Sequence, residues 1–419
     1  MENFLGRQLT ATELTEVPSD CEKIAGMTEI SKRHIRCNRC GTRHEKSEVQ
    51  LPIGSFYCPN CIALGRVRSD EFLYHLPQES FPSIDVLNWA GQLTEAQAEI
   101  SEALKAAVKK KEQVLVHAVT GAGKTEMIYA AIDESLRRGE AVCIASPRID
   151  VCIELHARLS RDFACEIPLL HGEGKPYFRA PLVIATTHQL LRFKEAFDLL
   201  IIDEVDAFPF VDNDSLYFAA EKARKKDAAL IFLTATSTDK LDQQVAKGQL
   251  KKLTLARRFH RQPLPVPQLL WQSHFLKALK KQRLTGFPLL IFAPEISYGT
   301  SFAANLQEKL STEKIAFVAS TSENRLETVE NFRSGKIQIL VSTTILERGV
   351  TFPKVDVFVL NAEHQTFSKS ALIQIAGRAG RSPERPTGTV FFFHQGRTKA
   401  MTAAIADIKK MNQKAGVSQ

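Results

Sequence analysis

The stretch Ala118-Val119-Thr120-Gly121-Ala122-Gly123-Lys124-Thr125 constrains this chain more than any other feature. It follows an apolar, strand-like segment (Val114-Leu115-Val116-His117) and opens a helix expected over Glu126 to Arg138. Strand, glycine turn and helix in that order are the context that a phosphate-binding loop requires. Small residues at 118, 121, 122 and 123 let backbone N–H groups turn toward the β- and γ-phosphates of a nucleotide at a helix N-terminus. Lys124 supplies a point charge there, and the Thr125 hydroxyl is placed to ligate Mg²⁺. A second element complements the first: Asp203-Glu204-Val205-Asp206 comes directly after the apolar run Leu199-Leu200-Ile201-Ile202. Asp203, at the end of a buried strand, would hold the same ion, and Glu204 would polarise the attacking water. The expected ATP and Mg²⁺ residues are therefore Gly121, Ala122, Gly123, Lys124, Thr125 and Asp203, with Glu204 catalytic.

Four of the eight cysteines form a second motif, Cys37-Asn38-Arg39-Cys40 and Cys58-Pro59-Asn60-Cys61, two knuckles enclosing seventeen residues. That spacing suits a four-thiolate zinc ribbon, and with every position filled by protein the metal would be structural. A redox Cys-x-x-Cys would come as a single motif in a βαβ setting, which this segment lacks. His34 and His44 are alternative ligands or, more simply, basic surface residues. Lys32, Arg33, Arg36, Arg39, Arg43 and Lys46 crowd the first knuckle, with Phe56 and Tyr57 before the second. Two readings stay open for them, a nucleic-acid face and a solvated charged face. Cys21, Cys143, Cys152 and Cys165 are scattered, as reduced thiols are.

The length of 419 residues leads us to expect two to three domains. A net charge of +8 is compatible with a polyanionic partner without establishing one. The start Met1-Glu2-Asn3-Phe4 has no signal-peptide pattern, and no apolar run reaches the ~18 residues of a membrane span. A soluble, cytoplasmic protein with no intrinsic membrane span is expected.

After a Pro-containing linker (Pro77 to Pro82), apolar strand candidates at 114–118, 141–145, 182–186, 199–202 and 230–234 alternate with helical stretches. Such alternation argues a parallel sheet covered on both faces. A second α/β run follows Pro263, Pro265 and Pro267, with strands expected at 289–293, 315–319, 337–341, 355–360 and 388–394. It carries no second phosphate loop but does contain Gln374-Ile375-Ala376-Gly377-Arg378-Ala379-Gly380-Arg381. Two arginines three apart, among small residues, suit a planar fork on transferring phosphate oxygens offered across an interlobe cleft. The fold class expected is α/β: a small four-cysteine module (residues 1–76, core about 32–66), then lobes over 77–255 and 256–419.

Together these elements resemble a superfamily 2 helicase over about residues 93–394. Ala118 stands where the generic loop has Gly, which helicase-type loops tolerate. Leu93-Thr94-Glu95-Ala96-Gln97 resembles the adenine-reading glutamine element, so Gln97 joins the cofactor residues. Ala145-Ser146-Pro147-Arg148 resembles motif Ia and Thr186-Thr187-His188-Gln189 motif Ib. Thr234-Ala235-Thr236 resembles motif III, Ser342-Thr343-Thr344 to Val350 motif V, and Gln374 to Arg381 motif VI. The resemblance implies two RecA-like lobes, nucleic-acid contacts at Pro147, Arg148, Thr187, Thr343 and Thr344, and catalytic roles for Gln374, Arg378 and Arg381. Gln374, in place of the His of DEAD-box RNA helicases, and a cysteine module ahead of the motor narrow the match to the ComFA family of competence helicases. That implies Mg-ATP and structural Zn²⁺ as cofactors and single-stranded DNA as the track. It also implies partners among a ComF-operon protein, a DNA-processing protein and the uptake channel, with recruitment to the inner face of the membrane. The rival readings are a repair or replication-restart helicase of PriA or RecG type, an RNA helicase, and a non-enzymatic, zinc-held DNA-binding scaffold, against which the intact set of Lys124, Asp203, Glu204 and Arg381 argues.

Overall fold

The computed structural model describes residues 2–172 and 174–416, which divide into two compact units. The first comprises residues 1–117 with 124–254; the second comprises 118–123 with 255–419.

The first unit is built on a seven-stranded sheet. Its spatial order is Lys251–Leu255, Gln113–Ala118, Arg224–Thr234, Phe197–Asp203, Val142–Ser146, Leu182–Thr186, Leu169–Leu170. Val, Ile, Leu and Ala fill the central strands, and residues 199–203 are buried without a break. Continuous burial is the mark of a strand covered on both faces. The register sets Ile202 opposite Ala145 and Asp203 opposite Leu233, which brings the acidic motif to the carboxyl end of the sheet. Ligands of open α/β sheets bind at that end. Two strands are longer than expected, at 197–203 and 224–234, and those at 169–170 and 251–255 have no counterpart among the expected ones. Lys-Lys-Leu-Thr-Leu is a lysine-bearing sheet edge, a composition that discourages edge-to-edge pairing and hides the strand from an apolar-run search. The helix expected over 126–138 forms as Lys124–Met127 and Tyr129–Leu136, with Ile128 between them.

Between Gln8 and His75 the chain forms two small antiparallel sheets. One pairs Gln8–Thr10 and Glu22–Ala25 with Phe72–His75; the other is Met27–Glu29, His34–Cys37 and Arg43–Glu45. Ile35 and the four knuckle cysteines belong to the same hydrophobic cluster as Phe210, Leu216, Ala219 and Ala220 of the parallel-sheet lobe. Burial of Ile35, Phe210 and Leu216 contributes roughly 1.5–3 kcal/mol apiece. The Gly41 Cα lies so close to the Phe218 ring that a Cβ there would sit 2.6 Å from it, and Thr42 Oγ1 is 2.8 Å from Ser215 Oγ. The cysteine module is thus welded to the helix Asp214–Ala223 that follows the acidic motif.

The second unit holds a six-stranded, wholly parallel sheet in the order 268–271, 390–394, 356–359, 289–292, 339–342, 315–318. Five strands match the expected ones. The sixth, Gln268–Trp271, is a partly exposed edge strand directly after the prolines. Phe275, Leu289, Ile291, Phe358 and Phe393 lead its core. Among the described residues no helix is long and apolar enough to cross a membrane.

Candidate ATP site and zinc module

The candidate phosphate loop adopts the backbone its glycines make possible. Gly121 and Gly123 have φ of +77° and +72°, in the left-handed region that side chains disfavour. The Ala122 N–H donates to Val119 O at 3.2 Å, closing the turn. Lys124 and Thr125 then begin the helix Lys124–Met127, whose N-terminal end favours an anion.

Asp203 ends its strand with its carboxylate accepting the Glu204 N–H at 2.8 Å. Burial, and next the charge of Glu204, push the Asp203 pKa up to about 7, while Lys124 draws it down. A buried carboxylate beside a second one is a site that gains from a cation. Glu204 itself sits at φ +56°, a strained backbone for glutamate of the kind that accumulates at active sites. Asp206 had no assigned role from sequence. The structure gives it one: its two carboxylate oxygens accept the hydroxyls of Thr234 and Thr236, the former at 2.7 Å. The acidic motif and Thr234-Ala235-Thr236 are therefore a single buried hydrogen-bonded unit, and the Thr-x-Thr spacing was the available signal. Charge-assisted bonds of this kind are among the stronger ones.

Gln97 is buried, and its side-chain oxygen accepts the Thr94 N–H at 2.9 Å while Thr94 Oγ1 accepts the Gln97 N–H. This capping box starts the helix Glu95–Lys109. Pro147 and Thr187 are also buried, Thr187 fully so, and the Thr187 hydroxyl has no hydrogen-bond partner among the described residues. Arg148 is half-buried at the start of the helix Ile149–Asp162. In the second unit, half-buried Thr343 and Thr344 follow the strand Ile339–Ser342. Gln374 is buried on the helix Lys369–Ala376. Arg378 is buried too, donating to the carbonyls of Glu347 (2.9 Å) and Val350, so it braces motif V from within. Arg381 is more exposed and donates to Gly377 O at 2.9 Å.

The cysteine module brings all four sulfurs together. Cys37, Cys40, Cys58 and Cys61 are buried, and their sulfurs lie within 4.8 Å of one another. Cys37–Cys61 and Cys40–Cys58 are separated by 3.8 and 3.5 Å. Tetrahedral thiolates about 2.3 Å from zinc lie about 3.8 Å apart, so this donor set fits Zn²⁺. His44 Nε2 is 3.3 Å from Cys58 Sγ, beside the tetrahedron rather than a member of it.

The basic cluster around the first knuckle separates into two classes. Arg39 is fully buried and paired with Glu13, so it is not a surface residue and cannot meet a nucleic acid there. Lys46 is tied to Glu29 at 2.8 Å and lies over the Phe56 ring. Arg36 and Arg43 are exposed, directly opposite each other on adjacent strands, and without a carboxylate partner among the described residues. Like charges so placed repel.

Two family models match the chain: the DEAD/DEAH box helicase over residues 94–244 and the helicase conserved C-terminal domain over 272–383. The competence protein ComFA of Streptococcus pneumoniae (strain ATCC BAA-255 / R6) is 54% identical over 99% of this chain and 99% of its own length. The chain belongs to the ComFA family. The ComFA protein of Bacillus subtilis (strain 168) is 41% identical over 92% of this chain and 87% of its own. S. cerevisiae Dbp5 bound to RNA and ADP BeF3 covers 76% of this chain and 91% of its own with a TM-score of 0.53; at 17% identity it speaks for the fold alone. ComFA membership and the two helicase domains make this chain an ATP-dependent superfamily 2 helicase with two RecA-like lobes.

Proposed function

We propose that this protein is an ATP-driven motor on single-stranded DNA that serves DNA uptake during transformation. The observation that carries the reading is the whole-length, 54% likeness to a competence protein. In this reading Gly121, Ala122, Gly123 and Lys124 cradle the triphosphate, and Thr125 and Asp203 hold Mg²⁺. Magnesium there would offset the charge of the β- and γ-phosphates. Glu204 orients the attacking water, and Arg378, Arg381 and Gln374 complete the site, the two arginines placing positive charge on the transferred phosphoryl group. Gln97 stands near the base, although its oxygen is spent on a helix cap. Pro147, Arg148, Thr187, Thr343 and Thr344 line the strand path. The bond between Asp206 and Thr234/Thr236 supports coupling of hydrolysis to movement, since a change at the acidic motif reaches the third motif through one carboxylate.

Structural Zn²⁺ at Cys37, Cys40, Cys58 and Cys61 would fix the N-terminal module. The exposed Arg36 and Arg43 favour a phosphate backbone there. Partners in this reading are a ComF-operon protein, a DNA-processing protein and the uptake channel, which would recruit a cytoplasmic motor to the inner face of the membrane. The test of the ATP site is substitution: Lys124→Ala and Glu204→Gln should each cut hydrolysis by at least about a hundredfold. Near-normal turnover in either variant refutes the assignment.

A further inference from the structure

Arg258 has no place in the motifs considered so far, yet it is one of the largest fully buried side chains in the molecule, at 2% exposure. It lies in the same unit as the first six residues of the phosphate loop. Every hydrogen bond recorded for its guanidinium goes to a backbone carbonyl. Nε donates to Thr120 O at 3.2 Å, Nη1 to Gly380 O at 2.6 Å, and Nη2 to Ala379 O at 3.0 Å and Gly377 O at 3.3 Å. No carboxylate pairs with it among the described residues. Burial, and then the charge of Arg381, lower its pKa to about 9, so it stays charged at neutral pH.

The surroundings are equally tight. The Val119 N–H donates to Leu255 O at 3.0 Å and the Phe259 N–H to Gly121 O at 3.3 Å, so residues 255–259 run alongside the loop. A Cβ on Gly377 would stand 2.1 Å from Thr120 Oγ1, and one on Gly380 would stand 2.9 Å from Arg258 Nη1. Only glycine allows these approaches.

We propose that Arg258 is a positioning residue for ATP hydrolysis, setting the Thr120–Gly121 peptide of the phosphate loop and the Gly377–Gly380 turn that bears Arg378 and Arg381. The two ends of a trans peptide point in opposite directions. Holding the Thr120 carbonyl on the guanidinium therefore aims the Gly121 N–H to the other side, as anion-binding loops need. Three bonds to the turn at 377–380 fix the origin of the two arginines with the same group. Arginine suits this role because its planar fork makes four bonds at fixed angles, which an ammonium cannot.

The inference rests on the reading of residues 118–125 as the phosphate loop, and the experiment separates the two. Nucleotide affinity, kcat and thermal unfolding would be measured for Arg258→Met, Arg258→Lys, Gly377→Ala and Lys124→Ala. Arg258→Met and Gly377→Ala should lose about tenfold or more in kcat with nucleotide affinity within about threefold, and Arg258→Lys should fall between. Methylguanidinium should restore turnover to Arg258→Ala several-fold, a response that general destabilisation does not give. Wild-type kcat in Arg258→Met, or in Arg258→Lys and Gly377→Ala if the former does not fold, overturns the inference. So does kcat loss without guanidinium rescue. Hydrolysis by Lys124→Ala would instead overturn the phosphate-loop reading itself.

Discussion

Arg39 and Arg258 are both buried arginines, in regions that handle charge in opposite ways. Arg39, inside the first cysteine knuckle, meets the Glu13 carboxylate and the carbonyl of Gly65 at 3.1 Å. Glu13 in turn accepts Arg192 Nε at 2.8 Å and the Thr10 N–H at 3.0 Å. Arg258, under the phosphate loop, has carbonyls alone. Burying an ion costs several kcal/mol, which a full partner offsets and carbonyl dipoles offset only in part. The first arginine is a staple between the module and its neighbours. The second keeps an unneutralised positive charge beside the proposed phosphate loop, a placement that fits positioning better than stability.

The largest test of the staple is removal of the proposed metal. Chelation of Zn²⁺, or Cys37→Ser with Cys58→Ser, should abolish stoichiometric zinc and cost on the order of 10 kcal/mol at the module. Because the module shares a hydrophobic cluster with the first lobe, the lobe should lose thermal stability as well. A zinc-free protein that melts normally would break this side of the comparison. Next in size, Arg39→Met removes a fully buried cation and leaves the half-buried Glu13 with Arg192 and the Thr10 N–H, so it should cost about 1–3 kcal/mol in urea unfolding, with a clear loss of stability in the module. Arg258→Met should instead show its main effect in kcat. If the two variants show the same balance of lost stability and lost turnover, the contrast between them fails.

Smaller effects sharpen the picture. Arg43→Glu places an opposite charge across from Arg36 and should stabilise the hairpin by about 0.2–1 kcal/mol. It should also weaken single-stranded DNA binding and lower the salt slope by about one. Unchanged DNA affinity would leave these arginines as a solvated face. A pH effect belongs to Asp203. Its folded pKa is raised, so its contribution to the stability of nucleotide-free protein is full below pH 3.8 and lost as the pH rises through about 7. Mg²⁺ competes with that proton, so apparent Mg²⁺ affinity should fall between about pH 8 and about pH 6. Asp203→Asn should abolish that dependence; a wild-type affinity flat across this range contradicts the burial argument.

Much of this was legible in the sequence because the chemistry is local. Glycines before Lys124, an acidic pair after four apolar residues, and two Cys-x-x-Cys knuckles each force their own backbone. The central strands were visible as apolar runs for the same reason. What the sequence hid depends on distant partners. Arg39 looks like part of a basic patch until Glu13, 26 residues away in the chain, is seen to cover it. Arg258 reads as one more basic residue before a proline-rich stretch, and its four carbonyls come from positions 119 to 138 residues distant. Gln97 carries a second role that the motif does not show, its oxygen capping its own helix. Asp206 was passed over although its partners lie 28 and 30 residues on.

The central claim is an ATP-driven motor on single-stranded DNA. Its most direct test is the rate of Mg-ATP hydrolysis by the full chain with no nucleic acid, single-stranded DNA, duplex DNA, forked DNA and RNA. The account predicts strong stimulation by single-stranded DNA and little by the others. Equal or greater stimulation by RNA would contradict it, and a preference for forks would point to repair or replication restart instead.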